Sequence, residues 1–195
     1  DIEWTGDAKP GAFVELRHWD GRDGTRHISL AVRSDLPIGE QVEARGATWL
    51  DRQLASPERT MRAEGFGREV QGAMKARAAF LDREELLPRS MDRAPAKERI
   101  ETLRRSEMET AVEGIAARTG LAHRPSAPGE HVSGIYRERV QLASGRFAMI
   151  DDGLGFQLVP WRPALEPHLG KHISGTVSGG GGIDWSLRRG RGLGI

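Results

Sequence analysis

The sequence predicts an α+β chain in three successive parts: a β-hairpin from a partial sheet at 1–33, a helical segment at 34–124, and a small five-stranded OB-like or SH3-like barrel at 129–195. Three observations carry this reading. Apolar residues alternate on either side of an Asp-Gly turn in the first part. They recur at three- and four-residue steps in the second. Short strand-like runs separated by turn residues fill the third.

Residues 12–17 and 27–33 alternate loosely, and Asp20, Gly21, Asp23 and Gly24 lie between them. Asp-Gly steps supply the positive φ of a tight turn, so this is a hairpin. One hairpin cannot bury enough surface to be stable alone, which predicts further sheet partners. From Ser34 the period lengthens. Ser34 or Asp35 is the expected N-cap before Pro37, and Gly46 interrupts the run. Trp49, Leu50 and Leu54 then share a face until Ser56 and Pro57. Residues 66–86 predict a long helix with the stripe Phe66, Val70, Met74, Ala78 and Leu81, stopped by Pro88. Residues 95–119 predict another, with Ile100, Leu103, Met108, Val112 and Ile115 inward and Gly120 as its left-handed stop. The pair, with Arg89, Arg93 and Arg99 between or beside them, allows a helix-turn-helix-like reading as well as a plain structural one.

Pro125, Ser126 and Pro128 mark 123–129 as a linker by composition. Beyond it, strands are expected at 131–142, 146–151, 155–161, 171–178 and 183–187, with a short helical insert at 163–169 before Gly170. That arrangement matches an OB-type barrel, with an SH3-like barrel as the alternative. The closed set predicts that 129–195 folds without the rest.

The 195 residues carry 29 Lys plus Arg against 28 Asp plus Glu, a net +1 that argues against a wholly basic histone-like protein. Cysteine is absent, which removes disulfides and thiolate metal sites and fits a cytoplasmic protein. No apolar run approaches the roughly 18 residues of a membrane span, and no charged-then-apolar leader is seen. The glycines from Gly179 to Gly182 precede no Lys-Ser/Thr and open no helix, so they form no phosphate loop. His168 and His172 are four apart with Gly170 between them, a spacing without a convincing third metal ligand. His18 and His27 are placed to face each other across the hairpin. No catalytic residue, metal ligand or cofactor site is assigned.

The charge is concentrated at the end of the chain. Residues 171–195 hold four basic groups (Lys171, Arg188, Arg189 and Arg191) and one acid (Asp184), net +3. Trp185 stands beside three of the cations in a glycine-rich tail. An aromatic platform with a mobile positive arm suits single-stranded nucleic acid, so Lys171, Trp185, Arg188, Arg189 and Arg191 are the candidate DNA-binding residues. The competing reading puts Trp185 and Ile183 in the barrel core.

Four stretches of this part, LASGRFAMIDDG at 142–153, GFQLVPW at 155–161, GIDWS at 182–186 and RGLGI at 191–195, resemble the C-terminal region of bacterial conjugative relaxases related to the Ti-plasmid border nicking enzyme. GATWLDR at 46–52 and GFGREV at 65–70 are similar to it too. The resemblance implies a fragment of a longer protein whose nicking domain, with a catalytic tyrosine and a histidine-held metal, lies upstream. It therefore implies a non-enzymatic accessory region in the bacterial cytoplasm. Its expected role is to assist binding of transfer-origin or transferred single-stranded DNA. The alternative is a protein-interaction module recognised by the relaxosome or by the type IV secretion coupling machinery.

Overall fold

The computed structural model describes residues 8, 10–22, 24–55 and 64–187. The chain divides into two compact units, one of Asp1–Glu109 with Ala143–Gly145 and one of Thr110–Leu142 with Arg146–Ile195.

The first unit opens with the hairpin, β1 (Phe13–Asp20) and β2 (Arg26–Ser34). The strands are antiparallel, with Leu16 opposite Leu30 and Trp19 opposite His27. Gly24 takes φ 78° in the connecting turn, a conformation that disfavours a Cβ. His27 stacks on Trp19 with ring centroids 5.4 Å apart, whereas His18 lies opposite Ile28. Adjacent strand residues point to opposite faces, so the two histidines do not face each other as the sequence suggested.

Helices α1 (Ile38–Glu43), α2 (Trp49–Leu54) and α3 (Phe66–Arg83) follow. The N-cap of α1 is Pro37, not Ser34 or Asp35, and the Ser34 hydroxyl instead accepts the Leu36 amide at 3.2 Å. A capping box starts α2: Asp51 accepts the Thr48 amide at 2.7 Å and the Thr48 hydroxyl at 3.0 Å. On this short helix Leu50 is buried and Leu54 is exposed. In α3 the buried face runs through Val70, Arg77, Phe80 and Leu81, and Phe66 at its start is 59% exposed. The helix stops at Arg83, five residues ahead of Pro88, where Glu85 turns to φ 50° and Leu86 N–H returns to Leu81 O.

Arg77 is the centre of this unit, with no exposed side-chain surface. Its Nε donates to Asp51 Oδ1 at 3.1 Å and its Nη2 to Asp51 Oδ2 at 3.0 Å. Nη2 also reaches Gly46 O at 2.7 Å, and Nη1 reaches the carbonyls of Val42 and Ala44. All guanidinium N–H groups are thus satisfied, the condition under which a buried arginine is tolerated.

A 3₁₀ turn (Arg89–Met91) leads to α4 (Ala96–Thr119), which ends at Gly120 with φ 72° as expected. Leu103 and Ile100 join Ala47, Leu81, Leu86 and Leu87 in one apolar cluster. Further along, Val112, Ile115 and Ala116 join Met149, Phe156 and Leu158 in another, inside the second unit.

The second unit is an antiparallel sheet of β3 (His131–Leu142), β4 (Gly145–Asp151), β5 (Phe156–Pro160), β6 (His172–Val177) and β7 (Ile183–Trp185), in the order β5-β4-β3-β6-β7. A 3₁₀ segment (Pro163–His168) stands where the helical insert was expected. One face carries the main core: Val132, Tyr136, Ala148, Ile150, Val159, Trp161, Leu165, Ile173, Val177 and Ile183. The opposite face of β4 and β5 is covered by α4. Among the described residues β5 and β7 do not pair, so the sheet is not closed. Among the described residues, no helix is long and apolar enough to cross a membrane.

The segment marked as a linker is tied down. Phe156 N–H donates to Ala122 O at 2.9 Å, Arg124 N–H to Phe156 O at 2.8 Å, and Gly129 N–H to Val177 O at 2.8 Å. Residues 129–195 are therefore not self-contained, because 110–124 cover Met149 and Phe156 and hydrogen-bond to β5.

Arg77→Met is expected to cost about 3–5 kcal/mol in urea unfolding, because Asp51 is left buried without its cation. Adding Asp51→Leu should recover part of the loss. A chain of residues 110–195 should give a dispersed amide NMR spectrum, and one begun at 129 a collapsed spectrum.

Candidate nucleic-acid interface

Of the five residues picked from the sequence, two lie within the described structure. Arg188, Arg189 and Arg191 lie outside it. Lys171 sits just before β6, exposed, where Gly170 N–H donates to Tyr136 O at 2.8 Å and Tyr136 N–H to Lys171 O at 3.0 Å. These bonds fix the end of the 3₁₀ segment against β3, and Lys171 Nζ donates to Pro167 O at 2.9 Å.

Trp185 ends β7 opposite Gly175. It is half-buried, packed on the main core beside Ile183. A Cβ built on Gly175 would stand 3.0 Å from Trp185 Cε3 and 2.6 Å from Ile183 Cγ2, so only glycine lets the indole lie across β6. Its Nε1 is buried without a hydrogen-bond partner among the described residues. Trp185 and Lys171 are separated by four residues of β6, roughly 13 Å at the usual strand rise. Because β7 runs antiparallel to β6, with Ser186 N–H on Ser174 O, it leaves the sheet toward the end where Lys171 stands.

At that end the structure adds a group that the sequence reading missed. Trp161 N–H donates to Arg146 O at 3.0 Å, which seats the indole beside β4. The Arg139 and Arg146 guanidinium carbons lie 5.1 and 5.2 Å from the Trp161 ring centroid, within cation–π range. Glu166 Oε2 is 3.5 Å from Arg139 Nη1. Burial lowers the pKa of Arg146 and the Glu166 charge raises it, while burial raises that of the Tyr136 hydroxyl above the ordinary phenol value. The signal was present in the alternation: Arg146 shares the inward parity of Ala148 and Ile150, and Trp161 that of Val159.

No group of three His, Asp or Glu side chains able to hold a metal occurs among the described residues. Residues 15–194 match the family described as protein of unknown function, DUF3363. The chain belongs to the DUF3363 family. No curated protein and no solved structure matches it. The DUF3363 match takes in the hairpin from Glu15 onward, α1 to α4 and the five-stranded sheet, so the Trp161 group and Lys171 lie inside it.

Trp185→Ala should lower unfolding free energy by roughly 3 kcal/mol, the cost of emptying an aromatic core position. Paired thermal melting and oligonucleotide-binding measurements on this variant separate its packing role from a stacking role, in which affinity falls and melting is unchanged.

Proposed function

We propose that this DUF3363 chain is the non-catalytic DNA-handling part of a conjugative relaxase, working in the bacterial cytoplasm on transfer-origin or transferred single-stranded DNA. The observation that carries the reading is the cationic end of the five-stranded sheet. Arg139 and Arg146 lie against Trp161 there, and the 3₁₀ segment meets Arg139 through Glu166 and Lys171 through Pro167 O. The net +3 of residues 171–195 adds to it. Arginine forks and lysine charges are the usual contacts to phosphate.

The strand order supports an OB-type rather than an SH3-like reading of the second unit, because the third strand, β5, and the fifth, β7, lie at opposite edges and the insert falls between the third and fourth. OB folds take oligonucleotides on the outer face of their second and third strands. Here that face, with Met149, Phe156 and Leu158, packs against α4. The cationic end is the surface this reading assigns to a strand. Tyr136, the chain's one tyrosine, is 1% exposed within the core, a placement that favours a structural over a nucleophilic role for it.

A second reading, a docking module for the secretion coupling machinery, is favoured by the first unit. Val14, Leu16 and Ile28 share one hairpin face and are 45, 51 and 48% exposed. Nearby, a cavity of about 620 Å³ is walled by Phe13, Trp49 and Phe66.

Fluorescence polarisation with single- and double-stranded origin DNA tests the first reading. If Lys171, Arg188, Arg189 and Arg191 all engage phosphates, log K should fall against log salt with a slope of roughly −3 on single strands. The triple Arg→Ala variant at 188, 189 and 191 should flatten it to about −1. Binding to a coupling ATPase with no DNA affinity would select the second reading.

A further inference from the structure

We propose that Trp19, backed by His27 and bordered by Arg17, is a stacking platform for one base of a single strand, a site that rests on the DNA reading for its ligand and lies wholly within the first unit.

Trp19 is 51% exposed, the most open of the tryptophans among the described residues. It stands in register opposite His27, and the two rings stack with 18° between their planes and 5.4 Å between their centroids. Thr25 Oγ1 and His27 Nε2 are 3.0 Å apart, which holds the imidazole in place beside the indole. A cross-strand ring pair steadies a hairpin. That contact orients the indole and still leaves half of its surface open to solvent.

The two faces of the hairpin differ in chemistry. Val14, Leu16, Ile28 and Val32 make one face aliphatic, whereas Glu15, Arg17, Trp19 and His27 share the other by alternation. Arg33 reaches that second face, where its Nε donates to Glu15 Oε2 at 2.6 Å. Arg17 Nε donates to the same carboxylate at 2.9 Å. Two guanidiniums on one carboxylate leave these three side chains with one positive charge. Arg17 is 62% exposed and lies two residues from Trp19, roughly 7 Å along the strand. A ring and a neighbouring cation on one face match a base and its phosphate. An apolar side chain of a protein partner would be received as well by the aliphatic face and would gain nothing from Arg17. In a duplex the faces of the bases cover one another, so an unpaired strand is the form that offers a face to the indole.

The test uses the full chain. Fluorescence polarisation gives affinities for a short oligothymidylate and for an abasic oligomer with as many phosphates. Trp19→Ala is expected to bind oligothymidylate about tenfold more weakly, and to bind the abasic oligomer as the wild type does. Trp19→Phe keeps an aromatic face and should recover most of the loss, which guards against misfolding of the alanine variant. Arg17→Gln should reduce the slope of log K against log salt by about 0.7. In side-chain ¹H–¹⁵N NMR spectra the Trp19 indole resonance, identified by its loss in Trp19→Phe, should shift with oligothymidylate and stay in place with the abasic oligomer. Equal affinity of wild type and Trp19→Ala for oligothymidylate, or an equal loss on both oligomers, overturns the platform. If oligothymidylate binds while the Trp19 resonance stays still, the platform falls and the DNA reading stands. If no oligonucleotide binds the wild-type chain, both fall together.

Discussion

The first unit depends on the pairing of Arg77 with Asp51. Asp51 is 5% exposed and serves two structures at once: it closes the capping box that starts α2 and it neutralises the guanidinium that α3 brings in. Arg77 in turn satisfies three carbonyls, one in the last turn of α1 and two in the connection to α2, where the helical ladder supplies no donors. Local capping and tertiary docking therefore share one carboxylate. Short helices of six residues are marginal alone, so α1 and α2 draw their stability from this junction and from α3 packed against them.

The second unit is organised by alternation on two faces. Inward residues of β3 to β7 meet one another in the main core, while Met149, Phe156 and Leu158 turn the other way to meet α4. Both faces of β4 and β5 are buried, which explains their nearly continuous apolar sequence. The cost of this arrangement falls at one end of the sheet. Arg146 continues the inward register, so its partly buried charge lies against the Trp161 ring and within the field of Glu166.

Much of the fold was legible in the sequence, since strand limits at 131–142 and helix limits at 95–119 follow from period, glycine and proline alone. The failures have physical causes. The stripe assigned to α3 included Phe66 and Ala78, because periodicity counts apolar residues and gives no credit to an arginine whose partner lies 26 positions earlier. The capping box at Thr48 and Asp51 was visible as a spacing but weaker than the Ser34-Asp35-Pro37 pattern before it. Arg139 was hidden for another reason. Strict alternation from Val132 and Tyr136 places it on the opposite face, yet its guanidinium lies against Trp161. The linker was misread because Pro and Gly composition reports missing side-chain packing, not missing backbone hydrogen bonds.

That tied-down segment also bears on solubility. An open sheet presents unpaired amides and carbonyls that recruit strands from other molecules. On β5 the outward-facing amide and carbonyl of Phe156 are already taken by Ala122 and Arg124, and the strand ends in Pro160, which has no amide to offer. The other border, β7, is three residues long. Among the described residues the sheet is open at β5 and β7, and the residues between α4 and β3 take up the backbone groups of Phe156 that another strand would need.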